Sequence, residues 1–188
     1  MLVYLHGFNS SPQSHKALLL ARAMQERGLG ALFACPDLPP LAGEAVGKIE
    51  QLIQGKSGVC FVGSSLGGSY ATHLAEKHGL RAALINPAIE PHAGLRACLG
   101  PQKNLHTGVP YELTEAHLGQ WEALYARRIT PQRYLLIVET GDEVLDYRRA
   151  VERYAGAEQI VIEGGDHSLQ SFPRHLPRIL EFCRANSL

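Results

Sequence analysis

The chain lacks an excess of charge of either sign. Its 188 residues carry 18 lysines and arginines against 18 aspartates and glutamates. A surface for nucleic acid or an anionic membrane needs a basic patch, and this balance predicts none. The sequence also lacks an apolar stretch long enough to cross a bilayer. Its N-terminus has no signal-peptide pattern, because Met1 leads straight into an apolar strand pattern. We therefore expect no nucleic-acid or membrane partner.

Cysteines and clustered metal ligands are also scarce. The four cysteines, Cys35, Cys60, Cys98 and Cys183, are widely spaced and form no Cys-x-x-Cys pair. Cys60 and Cys183 lie in apolar contexts and are predicted to be small core residues, which favours a reducing, cytoplasmic setting. The nine histidines lie singly, without the spacing of a zinc site, so no metal ion is expected.

Strand and helix patterns alternate along most of the chain. The length suggests one domain over residues 1–188. Apolar strand patterns separated by one-sided helix patterns predict an α/β protein with a mainly parallel six-stranded sheet and helices on both faces. Ligands bind such a sheet outside the carboxyl ends of its strands. The predicted strands are 2–5, 31–35, 58–62, 81–85, 134–138 and 159–162. The main predicted helices are 15–27, 44–54, 146–154 and 173–185.

Residues 87–130 interrupt this alternation. The segment has no clear strand pattern, carries several prolines and glycines, and has a helix pattern over 115–128. Long insertions of this kind often form lids or binding loops, but a helix here could equally just cover the sheet. The segment is short for a full lid. We therefore expect a short helical cap beside a fairly open cleft.

A serine stands at the apex of a predicted strand, turn and helix. The segment Gly63-Ser64-Ser65-Leu66-Gly67 follows the apolar run 58–62 and precedes a helix pattern. The Gly-x-Ser-x-Gly pattern alone is common, but this context is that of a nucleophile elbow, whose tight turn exposes the middle hydroxyl. Small flanking residues suit a strained turn with close backbone approach. We predict that Ser65 is a nucleophile rather than part of a glycine-rich connection.

The partners that a nucleophilic serine needs follow later in the chain. Asp142 comes after the strand pattern 134–138, and His167 comes after the pattern 159–162. A serine hydroxyl needs a base within hydrogen-bond reach, and the base needs a group that fixes its tautomer. The chain order Ser, Asp, His is that of the α/β-hydrolases. We predict His167 as the base and Asp142 as the acid; the alternative acid, Asp146, is expected to cap the next helix.

The loop after the first strand is expected to complete the site. In this kind of fold it supplies one backbone N–H of an oxyanion hole, and the residue after the nucleophile supplies the other. We assign these donors to the amides of Phe8 and Leu66. His6 lies in the same loop, and we favour a histidine bonded to the backbone over one that transfers a proton.

Several motifs together resemble the YqiA-like small bacterial esterases of the α/β-hydrolase superfamily, over nearly the whole chain. Each motif alone is unspecific, but the combination is specific. The resemblance implies a cytoplasmic carboxylic-ester hydrolase that uses Ser65, Asp142 and His167 without a cofactor. It also implies that the first two strands of the superfamily are missing. The matching segments are Tyr4-Leu5-His6-Gly7-Phe8-Asn9-Ser10-Ser11-Pro12 with Lys16-Ala17, Gly63-Ser64-Ser65-Leu66-Gly67-Gly68, Asn86-Pro87-Ala88, Thr140-Gly141-Asp142-Glu143-Val144-Leu145-Asp146-Tyr147 and Gly164-Gly165-Asp166-His167.

Three functions remain open on the sequence. The first is a serine esterase acting on short- to medium-chain carboxylic esters through an acyl-enzyme. The second is an acyl-CoA-type thioesterase, since the same chemistry cleaves both bonds. The third is a non-catalytic hydrolase-like binding protein. The expected ligand is a small-molecule acyl ester or thioester, and the sequence does not indicate an oligomeric state.

Overall fold

A computed structural model of the chain describes residues 1–184. Its strands are Leu2–Leu5 (β1), Phe33–Ala34 (β2), Cys60–Ser64 (β3), Arg81–Ile85 (β4), Gly100–Lys103 (β5), Pro110–Leu113 (β6), Tyr134–Glu139 (β7) and Glu158–Ile162 (β8). Its α-helices are His15–Glu26 (α1), Ala42–Ile53 (α2), Leu66–His78 (α3), Pro91–Gly94 (α4), Glu115–Ala123 (α5), Tyr147–Arg153 (α6) and Phe172–Arg184 (α7). Short 3₁₀ helices cover Gly30–Leu32, Leu95–Cys98 and Pro131–Arg133.

Six of these strands form one sheet in the order β2-β1-β3-β4-β7-β8. Every neighbouring pair is parallel. The chain moves outward from β1 to β2 and then crosses to β3 on the other side of β1. At such a switch point the loops that follow the two central strands diverge and leave a crevice at the carboxyl edge. The loops after β1 and β3 are those predicted to hold Phe8 and Ser65.

The inner strands β1, β3, β4 and β7 are buried on both faces because helices cover each side of the sheet. Alternate residues of β1 show this: Leu2 and Tyr4 belong to a core shared with α1 and α7, whereas Val3 and Leu5 belong to a core shared with α2, α3 and α6. Strands buried on both faces have continuous apolar runs, which is the pattern that the sequence shows. The predicted fold class is confirmed. No helix within residues 1–184 is both long and apolar enough to cross a membrane.

The predicted elements lie close to the observed ones, with two notable differences at their ends. The second strand is only Phe33–Ala34, because the residues before it form the 3₁₀ turn Gly30–Leu32. The helix predicted over 115–128 ends at Ala123. The last helix was predicted to reach Ala185, which lies outside the described residues.

The prediction that residues 87–130 contain no strand is wrong. Strands β5 and β6 form a separate antiparallel hairpin, in which Gln102 pairs with Tyr111. The hairpin strands are short and start at Gly100 and Pro110, so they lack the apolar alternation by which half-buried strands are recognised. The insertion therefore contains a β-hairpin as well as α4 and α5.

The expectation that all four cysteines are reduced thiols is wrong for Cys60 and Cys183. Cys60 and Cys183 are both buried, as predicted for small core residues. The structure additionally joins them in a disulfide between β3 and α7, with Cα atoms 5.4 Å apart. The two residues are separated by 123 positions, and their spacing carries no signal of pairing. Cys35 and Cys98 are free thiols.

A partly buried ionic cluster fixes α3 to the start of β7. Glu76 Oε1 accepts hydrogen bonds from the Thr130 amide and the Tyr134 hydroxyl, each at 2.7 Å. Its Oε2 accepts from the Arg133 guanidinium at 2.8 Å. Burial alone raises the pKa of Glu76, but these bonds outweigh it and leave the pKa below its ordinary value. The ionised carboxylate therefore stabilises the folded state.

We predict that Glu76→Gln lowers the free energy of unfolding by about 1–3 kcal/mol at neutral pH, because charged hydrogen bonds are lost. A carboxyl whose folded pKa is depressed contributes its full stability above the unfolded pKa, near 4.3 for a typical glutamate, and loses it as the pH falls through the lower folded value. Urea denaturation at several pH values measures this difference. The deficit should shrink below about pH 4; a deficit that stays constant with pH would contradict the ionised cluster.

Candidate active site

Ser65 occupies a strained turn between β3 and α3. Its backbone has φ 53° and ψ −121°, outside the regions that L-residues usually adopt. Two glycines permit the turn. A Cβ on Gly67 would overlap the carbonyl oxygen of Leu5, and a Cβ on Gly63 would lie 2.8 Å from the Cβ of Ala71. Hydrogen bonds from the Ser65 amide to the Ile85 carbonyl at 3.0 Å, and from Gly68 N–H to the Ser65 carbonyl at 2.9 Å, hold the conformation.

The three side chains predicted to act together lie in one hydrogen-bonded chain. Ser65 Oγ is 3.1 Å from His167 Nε2. His167 Nδ1 lies 2.8 Å and 3.0 Å from the two carboxylate oxygens of Asp142. The Asp142 side chain is 1% exposed and that of His167 is 22% exposed. The arrangement therefore has a buried carboxylate at one end and an accessible serine at the other.

The loop after β7 distinguishes between the two candidate acids. Asp142 Oδ1 also accepts hydrogen bonds from the amides of Val144 and Leu145, at 2.9 Å and 2.8 Å, so its carboxylate is fixed toward His167. Asp146 Oδ1 instead accepts from the amide of Arg148 at the start of α6. The predicted capping role of Asp146 is confirmed, and its carboxylate has no hydrogen bond to the histidine among the described residues.

A buried polar layer, which was not predicted from the sequence, holds the histidine loop. Asn86, at the end of β4, donates from Nδ2 to the carbonyls of Asp166 and His167, both at 3.1 Å, and accepts the Glu139 amide. The Glu139 side chain accepts the amides of Asp166 at 2.8 Å and Ser171 at 3.2 Å. Both residues are almost fully buried. A single asparagine or glutamate at a strand end gives no sequence signal of such a role.

Lys16 ties α1 to the same loop. Its ammonium donates to the Ser168 carbonyl at 2.7 Å, next to His167 in the chain. Burial lowers the pKa of Lys16, and the nearby carboxylates of Asp166 and Glu139 oppose that shift. The loop that holds His167 is therefore fixed by Asn86 and Glu139, at the ends of β4 and β7, and by Lys16 of α1.

The loop after β1 lies directly against Ser65. A Cβ on Gly7 would be 3.3 Å from the Cβ of Ser65. The amides of Phe8 and Leu66, the predicted oxyanion donors, have no acceptor within the described chain, and both residues line the same cavity as Ser65. His6 is buried, with Nδ1 3.0 Å from the Gly7 carbonyl and Nε2 accepting the Leu38 amide at 3.1 Å. Burial lowers the pKa of His6, and both ring nitrogens bond to the backbone, as predicted.

A cavity of about 680 Å³ opens above Ser65 and His167. The insertion contributes one wall through the segment 88–98 and the hairpin loop residues Leu105 and His106. Val144 and Leu145, from the loop after β7, also line the cavity. Within residues 1–184, no group of three or more His, Cys, Asp or Glu side chains is placed to hold a metal ion. The lining combines apolar side chains with the charged residues Lys16, Glu90 and Arg149.

Sequence comparison places the chain among proteins of the same length. The model of UPF0227, described as an uncharacterised protein family, matches residues 1–184. A UPF0227 protein of Yersinia enterocolitica is 28% identical over 188 residues, covering 97% of this chain and 98% of the relative.

Solved structures show a similar fold at lower identity. Alpha/beta hydrolase domain-containing protein 10 from mouse superposes with a TM-score of 0.70 at 16% identity, covering 99% of this chain and 88% of the other. Est1E from Butyrivibrio proteoclasticus, with ferulic acid bound, has a TM-score of 0.69 at 14% identity and the same coverage, 99% and 88%. These likenesses confirm the predicted α/β-hydrolase fold.

Proposed function

We propose that this chain, which belongs to the UPF0227 family, is a serine esterase acting on short- to medium-chain carboxylic esters. The family description supplies no reaction, so the proposal depends on the site. One observation carries it: the continuous hydrogen-bonded chain from Ser65 through His167 to Asp142, on a strained turn beside an apolar cavity.

In the proposed reaction, His167 acts as the base. An ionised Asp142 carboxylate only accepts hydrogen bonds, so it fixes the proton of His167 on Nδ1. The lone pair on Nε2 then faces Ser65 Oγ, 3.1 Å away. As Oγ attacks the ester carbonyl carbon, Nε2 takes its proton, and Asp142 stabilises the resulting imidazolium.

The carbonyl oxygen becomes negative in this step and needs donors that are already in place. We assign these donors to the free amides of Phe8 and Leu66, because preorganised N–H groups stabilise developing charge better than water that must reorient. Collapse of the intermediate expels the alcohol, which takes the proton from His167 Nε2. Water, activated by the same histidine, then hydrolyses the acyl-enzyme.

The substrate class is proposed from the cavity. Its lining includes apolar side chains from the insertion and from the loop after β7, among them Ile89, Leu95 and Val144. An acyl chain buried there would gain about 0.8 kcal/mol for each methylene removed from water. Parallel assays of acyl esters and acyl thioesters of matched chain length would distinguish the proposed esterase from the thioesterase alternative.

We predict that Ser65→Ala abolishes hydrolysis of p-nitrophenyl esters of short- and medium-chain acids, with a loss in kcat on the order of 10⁶. Ser64→Ala is the matched control, because Ser64 is the neighbouring serine and is buried at the end of β3. It should keep most of the activity. Loss confined to Ser64→Ala would move the nucleophile to Ser64, and a folded wild type without turnover of any acyl substrate would favour the binding protein.

We predict that Asp142→Asn lowers kcat on the order of 10⁴-fold, because an amide no longer holds His167 in the required tautomer. The matched control is Asp146→Asn. Asparagine caps helices about as well as aspartate, so activity should stay near that of wild type. Steady-state kinetics of both variants measure this; the reverse pattern would assign the acid to Asp146.

A further inference from the structure

The hairpin of the insertion is hydrogen-bonded to the loop predicted to stabilise the oxyanion. Asn9 follows Phe8, and both polar atoms of its side chain are paired with the hairpin. Oδ1 accepts the Tyr111 hydroxyl at 2.7 Å, and Nδ2 donates to Gln102 Oε1 at 3.1 Å. Gln102 and Tyr111 are cross-strand partners, so their side chains emerge on the same face of the hairpin.

The backbone of the loop is held by the same insertion. The Leu105 amide donates to the Asn9 carbonyl at 3.0 Å, and Asn104 Nδ2 donates to the Ser10 carbonyl at 3.0 Å. The Phe8 ring packs edge-on against Trp121 of α5, with ring centres 6.4 Å apart. Contacts from β5, β6, their connecting loop and α5 therefore converge on residues 8–10.

The contacts between the hairpin and Asn9 lie where the backbone has a positive φ. Asn9 has φ 52°, in the left-handed region that asparagine tolerates better than most residues. Burial raises the pKa of Tyr111 to about 12, so its hydroxyl keeps its proton and donates to Asn9. Asn9 directly follows Phe8, so its conformation constrains the Phe8–Asn9 peptide. The Phe8 N–H belongs to the Gly7–Phe8 peptide and is coupled to Asn9 through the backbone of Phe8.

We propose that the hairpin is a brace for the oxyanion loop, in which Tyr111 and Gln102 are positioning residues that act on the Phe8 amide through Asn9. This rests on the proposed esterase function. It gives residues 87–130 a role beyond that of a wall of the cavity. The brace fixes the Phe8 amide, a donor that is used only when the carbonyl oxygen becomes charged. Loss of the brace should therefore lower kcat rather than raise KM.

The first test compares two tyrosines of the insertion. Tyr111→Phe removes only the hydroxyl that donates to Asn9. Tyr125→Phe makes the same chemical change at a hydroxyl that has no hydrogen-bond partner among the described residues. Removal of one oxyanion donor costs about 10²–10³ in kcat, so a displaced donor should cost roughly tenfold. We expect that loss in kcat for Tyr111→Phe, with KM within about twofold, and no change for Tyr125→Phe.

The second test separates positioning from a general loss of stability. Asn9→Gly keeps the freedom to adopt a positive φ but removes both side-chain bonds to the hairpin. It should lower kcat at least as much as Tyr111→Phe. In the Asn9→Gly background, Tyr111→Phe should have little further effect, because the bond that it removes is already absent. Thermal denaturation of each variant verifies that the protein is folded at the assay temperature.

The outcomes for the brace and for the esterase function are distinct. A wild-type protein with no ester turnover overturns the proposed function itself. An active wild type in which Tyr111→Phe matches Tyr125→Phe overturns the brace alone. A Tyr111→Phe variant that raises KM at constant kcat also overturns the brace, because it would place Tyr111 in substrate binding. Fully additive losses of kcat in the double variant overturn it as well.

Discussion

The turn at Ser65 is the constraint on which the arrangement of the site depends. A non-glycine residue at φ 53° is strained, at a cost on the order of 1–3 kcal/mol. The turn persists because the surrounding fold leaves no alternative: α3 passes so close to β1 that Gly67 has no room for a side chain beside the Leu5 carbonyl. That close approach brings the loops after β1 and β3 together, and with them the serine and the amides of Phe8 and Leu66.

The histidine reaches this turn because a second, polar layer fixes its loop. Asn86 and Glu139 lie at the ends of β4 and β7 and bond the backbone of residues 166–171. Buried polar groups are costly without partners, so such a layer is stable only when its members satisfy one another. Three neighbouring strands, β3, β4 and β7, thus contribute the serine, the support of the histidine loop and the buried acid.

Much of the fold and the positions of the three site residues could be predicted from local sequence patterns. Apolar strands followed by Ser65, Asp142 and His167 place all three residues at one edge of a parallel sheet, and the structure brings them into contact. The missed features depend on residues far apart in the chain. The bond between Asn9 and Tyr111 spans 102 positions and the Cys60–Cys183 pair spans 123. The hairpin was not predicted because its strands are short and lack a regular apolar face.

The most direct test of the central claim is to locate the residue that becomes covalently modified. A fluorophosphonate reacts with an activated serine, displacing fluoride and leaving a stable phosphonyl ester, and peptide mass spectrometry identifies the position. We expect one adduct per chain, on Ser65, and none after denaturation of the protein before the reagent is added. An adduct on Ser64 or another residue, or no adduct on the folded protein, would contradict the account.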